Sequence, residues 1–94
     1  MDKQERIDLY KKAIKTWGEE AQVNMLDEEL GELITAVARF KRGRVTHQDV
    51  MTELADVFIM VEQIATIMSH DDFEKEVDRK LVRLRDEKLA KYDS

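Results

Sequence analysis

Two acidic pairs are the residues of this chain best placed to do chemistry: Glu29-Leu-Gly-Glu32 and, further along, Glu53-Leu-Ala-Asp56. A three-residue spacing puts both carboxylates of a pair on one helical face. The first pair shares its face with Leu26, Leu30, Leu33, Ile34 and Val37, while Asp56 interrupts the apolar run Leu54, Ala55, Val57, Phe58, Ile59, Met60 and Val61. A carboxylate with apolar side chains on both flanks needs a cation or a proton. Ligation by carboxylates alone selects hard cations, so Mg²⁺, or Mn²⁺ in its place, is expected over zinc or copper. Without such an ion, four close negative charges repel one another and raise their own pKa values. Phosphate oxygens are the usual partner for the open positions of a magnesium ion.

Other chemistries are poorly served. The helical di-iron design uses Glu-x-x-His, but here His47 follows Arg44 by three positions and His70 follows Ile67. Neither histidine, each at an expected helix start, is given a catalytic role. A calcium loop, a glycine-rich phosphate loop and a Ser/His/Asp arrangement are all missing. The absence of cysteine removes disulfides, a thiolate nucleophile and cysteine zinc sites, and fits a reducing compartment. A formal charge of -5, with basic and acidic residues interleaved, argues against a nucleic-acid polymer as partner. Two clusters are locally basic: Arg39, Lys41, Arg42 and Arg44, and later Lys80, Arg83 and Arg85. Either can meet a phosphate group, or simply favour helix C-termini and solvated ion pairs. The opening MDKQERIDLY has no apolar stretch like that of a signal peptide, and the apolar run Val57 to Val61 is far below membrane-spanning length. A cytoplasmic protein without a membrane partner is expected.

These acids must be positioned by helices. No proline, three glycines, 43% hydrophobic and 39% charged residues describe an all-α chain with strongly solvated outer faces. Ninety-four residues make one domain, 1–94, whose thin core favours self-association. Ile7, Tyr10, Ile14 and Trp17 recur at three or four residues and predict a first helix over about residues 3 to 16, ended by Gly18. A second helix starts near Glu19 or Glu20, runs through Val23, Leu26, Leu30, Leu33, Val37 and Phe40, and closes at Lys41-Arg-Gly-Arg44. Thr46 and Asp49 resemble a capping box, so a third helix begins at His47 and reaches about Met68. Ser69 and Asp72 repeat that signal before Phe73, Val77, Leu81, Leu84 and Leu89, which predict a fourth helix ending near Tyr92.

Short connections make antiparallel neighbours, so helices two and three should form a central hairpin with the acidic pairs facing each other. Glu32 lies about twelve residues before the turn and Glu53 about nine after it, a difference in level of about 4 to 5 Å at the helical rise. All four carboxylates can then reach one volume. The third helix is apolar around too much of its circumference for a lone hairpin, and should lie among several helices, some from another subunit. The expected architecture is a four-helix protomer assembling into an oligomeric helical bundle, as a homodimer or homotetramer.

The order Glu28-Glu29-Leu-Gly-Glu32, spacer, Glu53-Leu-Ala-Asp56 resembles the EExxE and ExxD motif of the all-α, MazG-like nucleoside triphosphate pyrophosphohydrolases. The stretches IKTWGEEAQVNMLDEELGELITAV, ELADVFIMVEQI and KLVRLRDEKL are similar to the short, single-domain members, so the likeness covers most of residues 13 to 89. It implies Mg²⁺-dependent cleavage between the α and β phosphates of a nucleoside or deoxynucleoside triphosphate, giving a monophosphate and pyrophosphate, with house-cleaning of surplus or non-standard nucleotides as the purpose. Its metal ligands carry over to Glu29, Glu32, Glu53 and Asp56, and Glu28 stands where a residue orients a ligand or water. Glu32 and Glu53 are both candidates for the catalytic base. Lys80 matches a lysine that reaches substrate phosphates, with Arg83 one turn away. The chain departs from the Lys-xxx-Asn of many members by having Leu84 at the asparagine position. Gln22 lies on one stripe with Met25, Glu29 and Glu32 and can bond a base edge, and Trp17 can stack on a base or anchor the core. Phosphoribosyl-ATP hydrolysis is the same-fold alternative. A non-catalytic regulatory or interaction module is the alternative of a different class.

Overall fold

The computed structural model describes residues 1–92. Its first helix, α1, spans Lys3–Trp17 and is capped by Asp2, whose carboxylate accepts the Glu5 N–H at 2.8 Å. Gly18 ends it with φ 91°, a left-handed conformation that glycine adopts without a Cβ penalty. Helix α2, Glu19–Lys41, follows at once, with Glu19 and Glu20 in the first turn, where negative charge complements the helix dipole. Gly43, at φ 69°, closes it, and the backbone carbonyl of Arg39 accepts the N–H groups of both Arg42 and Arg44.

Helix α3, His47–Met68, starts from a complete capping box. Thr46 Oγ1 accepts the Asp49 N–H at 3.1 Å, and Asp49 Oδ2 accepts the Thr46 N–H at 2.7 Å. The shorter aspartate thus does the work usually given to Glu or Gln. Ser69 then caps α4, His70–Arg83, by accepting the Asp72 N–H at 3.2 Å. The expected continuous helix to Tyr92 is not what forms. After Arg83 the winding widens to a π-helical stretch, Leu84–Leu89, and tightens to a 3₁₀ turn, Ala90–Tyr92. Every residue of this segment is exposed, and among the described residues it contacts only α4, which it continues.

The described residues are all-α, and none of their helices is long and apolar enough to cross a membrane. Helix α3 is the hub: α2 lies against it most extensively, joined to it by residues 42–46, and α1 and α4 also pack on it. The core is small. Ile7, Tyr10, Ala36, Met60 and Ala65 are its buried members. Ile34, Leu54 and Phe58 remain exposed, although α2 and α3 bring them to the middle of the molecule's longest elements. The radius of gyration is 16.3 Å, against about 12 Å for a compact chain of this length.

Candidate functional site

Helices α2 and α3 bring three of the four predicted carboxylates together. Glu29, Glu53 and Asp56 each offer an oxygen, and these oxygens all lie within 4.8 Å of one another. Glu53 and Asp56 stand on one face of α3 by their three-residue spacing, and Glu29 meets them from α2. All three are half-buried. Glu32, the fourth, is exposed and sits beside the group, near enough for its charge to act on both Glu29 and Glu53.

Burial raises the pKa of Glu29, and the charges of Glu32, Asp56 and Glu53 add to the rise. Glu53 is raised for the same reason, burial first and then the charges of Glu32 and Asp56. Each of these two glutamates also has a buried Oε2 with no hydrogen-bond partner. Oxygens of this kind, withdrawn from water and facing other carboxylates, are costly unless a cation or proton reaches them. The donor set is all oxygen and convergent, which fits a hard divalent ion such as Mg²⁺ or Mn²⁺.

Beside the acids opens a cleft of about 760 Å³, lined in part by Glu28, Glu32, Asp49 and Glu53, with Arg39 as its one basic residue. The small side chains of Gly31 and Ala36 leave the room on the α2 side. Glu28, at the head of the acidic motif, therefore faces the same space as Glu32.

The remaining candidates lie elsewhere in the protomer. Gln22 is 6% exposed, packed into the fold rather than offered on an open face. Trp17 is 66% exposed, so it anchors no core, and it borders an apolar groove with Leu9, Tyr10 and Ile59 away from the acids. Lys80 and Arg83 line a separate groove with Phe73, Val77 and Leu81, and Arg83 Nε donates to Glu87 at 3.2 Å. The single chain brings none of these four into the acidic cleft.

A second polar cluster was not anticipated. Glu62, 5% exposed, accepts the Tyr10 hydroxyl at 2.8 Å and Arg6 Nε at 3.1 Å on one oxygen, while His70 Nε2 lies 2.9 Å from the other. Nδ1 of His70 faces Glu74 Oε1 at 3.2 Å, off the hydrogen-bonding direction, and Glu74 pairs in turn with Lys3. Burial raises the Glu62 pKa, but the bonds from His70, Tyr10 and Arg6 outweigh it and the net shift is downward. The Tyr10 hydroxyl is pushed up to about 12 by burial and then by Glu62. A signal is present in the sequence: Glu62 stands between Val61 and Gln63-Ile64 in the same apolar run as Asp56, and like Asp56 it is a carboxylate that needs a cation or a proton. Its partners, however, come from α1 and α4, and only the packing shows that they saturate it.

The chain matches no protein-family model, no curated protein and no solved structure.

Proposed function

We propose that this chain is a Mg²⁺-dependent nucleotide pyrophosphohydrolase that cleaves a nucleoside or deoxynucleoside triphosphate to the monophosphate and pyrophosphate. One observation carries the reading: the meeting of Glu29, Glu53 and Asp56 oxygens within 4.8 Å, both glutamates having a buried oxygen with no hydrogen-bond partner. Glu29, Glu53 and Asp56 would hold the ion, which when bound supplies charge neutralisation for the polyphosphate and for the leaving group. Glu32 is the base in this reading. It is exposed toward the cleft, stands outside the trio, and is next to both neighbouring glutamates. Water adds through its oxygen to the α phosphorus, the bond from that phosphorus to the bridging oxygen breaks, and pyrophosphate leaves with the electron pair. The proton of the water passes to the Glu32 carboxylate. Glu28, on the same cleft, orients the water or a ligand.

The working form is an assembly of copies built around an antiparallel α2–α3 hairpin. Its support is the thin core, the extended protomer, and large exposed apolar side chains such as Ile34, Leu54 and Phe58. In such an assembly, Lys80 and Arg83 of one copy can lie over the cleft of another, which is how they would meet substrate phosphates. Within one copy Gln22 and Trp17 do not line the cleft, since one is packed into the fold and the other borders a different groove.

The test is pyrophosphate release from a panel of canonical, deoxy and modified triphosphates and phosphoribosyl-ATP, first with Mg²⁺ and then with chelator. Metal-dependent turnover on one or more triphosphates is expected. Turnover confined to phosphoribosyl-ATP selects the alternative substrate, and no turnover on any of them ends the enzyme reading in favour of an interaction module.

A further inference from the structure

The cleft beside the acids holds four carboxylates and one cation, and among the described residues the cation has no ion-pair partner. Arg39 lines the cleft together with Glu28, Glu32, Asp49 and Glu53. Among the described residues, Arg6, Arg79, Arg83 and Arg85 each pair with a carboxylate; Arg39, Arg42 and Arg44 form no such pair, and of these three only the exposed Arg39 lines the cleft. Asp49, across the cleft, is engaged as the cap of α3, accepting both the N–H and the hydroxyl of Thr46. Glu53 belongs to the acidic trio, and Glu32 stands beside it on the cleft.

Position adds to charge. Arg39 follows Glu32 by seven residues on α2, two helical turns or about 10 Å along the axis, and Glu29 by ten residues, about 15 Å. It lies on the side of the acids nearest the α2–α3 turn, whereas Asp56 lies one turn of α3 beyond Glu53 on the far side. Its backbone is tied down there, because the Arg39 carbonyl accepts the N–H groups of Arg42 at 3.1 Å and Arg44 at 2.9 Å. A guanidinium on a long arm, held about two turns from the acids, meets the end of a polyphosphate chain rather than the phosphorus that reacts. Its planar fork matches two phosphate oxygens at once.

We propose that Arg39 binds the β and γ phosphates of the substrate, and so sets its direction in the cleft: the pyrophosphate end toward the α2–α3 turn, the nucleoside end toward the N-terminal half of α2. The assignment rests on the pyrophosphohydrolase reading. It also explains why an arginine lines an acidic cleft without neutralising any of its acids. The competing role is a plain structural one, since Arg39 stands in the last turn of α2, where a cation favours the helix dipole.

Calorimetric titration of the full chain in Mg²⁺ separates the two roles. Pyrophosphate and a nucleoside monophosphate are titrated separately into the unsubstituted protein, Arg39→Ala, Arg39→Lys and, as a control for general charge, Arg42→Ala. Arg39→Ala is expected to weaken pyrophosphate binding by about ten-fold or more, the scale of one lost charged contact, and to leave monophosphate binding nearly unchanged. Arg39→Lys should recover part of the loss, and Arg42→Ala should show none. With triphosphate, the Michaelis constant of Arg39→Ala should rise more than kcat falls. Equal pyrophosphate affinity in Arg39→Ala overturns the assignment, as does an equal loss for both ligands or a failure of the unsubstituted protein to bind pyrophosphate. Failure of the enzyme reading looks different. The unsubstituted chain then releases no pyrophosphate from any triphosphate, while a selective loss of pyrophosphate binding in Arg39→Ala still identifies the phosphate site.

Discussion

Nε2 of His70, at the first residue of α4, lies 2.9 Å from Oε2 of Glu62 inside α3, and both side chains are buried. The other oxygen of Glu62 takes Tyr10 and Arg6 from α1. One carboxylate therefore ties three helices together, in a protomer whose apolar core is too small to do so alone. The value of such a pair lies in its completeness: with all partners present it is close to neutral, and with one removed the rest are left buried and unpaired.

Glu62→Gln keeps the shape of the side chain and removes its charge. The substitution is expected to cost about 3 kcal/mol of stability, the usual scale for breaking a buried pair. Chemical denaturation with circular dichroism measures it. An unchanged unfolding midpoint would show that the network does not hold α1 and α4 in place.

Acid should act on the fold in two opposite steps. Glu29 and Glu53 have raised pKa values when folded, so the folded state takes up protons first, and stability without metal increases as pH falls through their raised values. Glu62 is lowered, so its contribution is present above the ordinary glutamate range and is lost as pH falls through its depressed value. Melting temperature in chelator is thus expected to rise as pH falls from neutral toward the ordinary glutamate range, and to fall on further acidification. Glu53→Gln should flatten the rise and spare the fall; a rise of full size in that variant would remove Glu53 from the repelling group.

Adding Mg²⁺ at neutral pH should raise the melting temperature of the unsubstituted chain, because the ion binds the folded arrangement of Glu29, Glu53 and Asp56. Glu53→Gln and Asp56→Asn are each expected to abolish turnover and to lower metal affinity by more than the roughly 10- to 100-fold seen when only an outer-shell partner is lost. Helicity and assembly should be kept. Retained activity in either variant would take that residue out of the ion's ligands.

Phe58 and Ile34 are 55% and 70% exposed in the protomer, so a charge at either is tolerated by the isolated fold but not by an apolar interface. Phe58→Glu and Ile34→Glu are expected to reduce the solution mass, read by light scattering, toward that of one chain while the far-ultraviolet spectrum stays helical. A single-chain mass for the unsubstituted protein would remove the assembly from the proposal.

By itself, the amino-acid sequence determined what depends on neighbours a few residues away. The helical period of the apolar residues, the stops at Gly18 and Gly43, and the Thr46–Asp49 and Ser69–Asp72 caps all act within one or two turns, and the helices begin where those signals stand. The i,i+3 spacing likewise determined that Glu53 and Asp56 share a face. Tertiary packing decided which carboxylates meet across helices: Glu29 joined Glu53 and Asp56, while Glu32 was left exposed at the rim. The same packing made Glu62 a saturated junction and left Arg39 unpaired in the cleft, two outcomes set by side chains from other elements. The C-terminal segment shows the converse. Its apolar period predicted α-helix to Tyr92, whereas the winding changes after Arg83, where every described residue is exposed. Hydrogen bonds within a turn are local and legible; the cost of burying a charge depends on what surrounds it, and distant parts of the chain supply those surroundings.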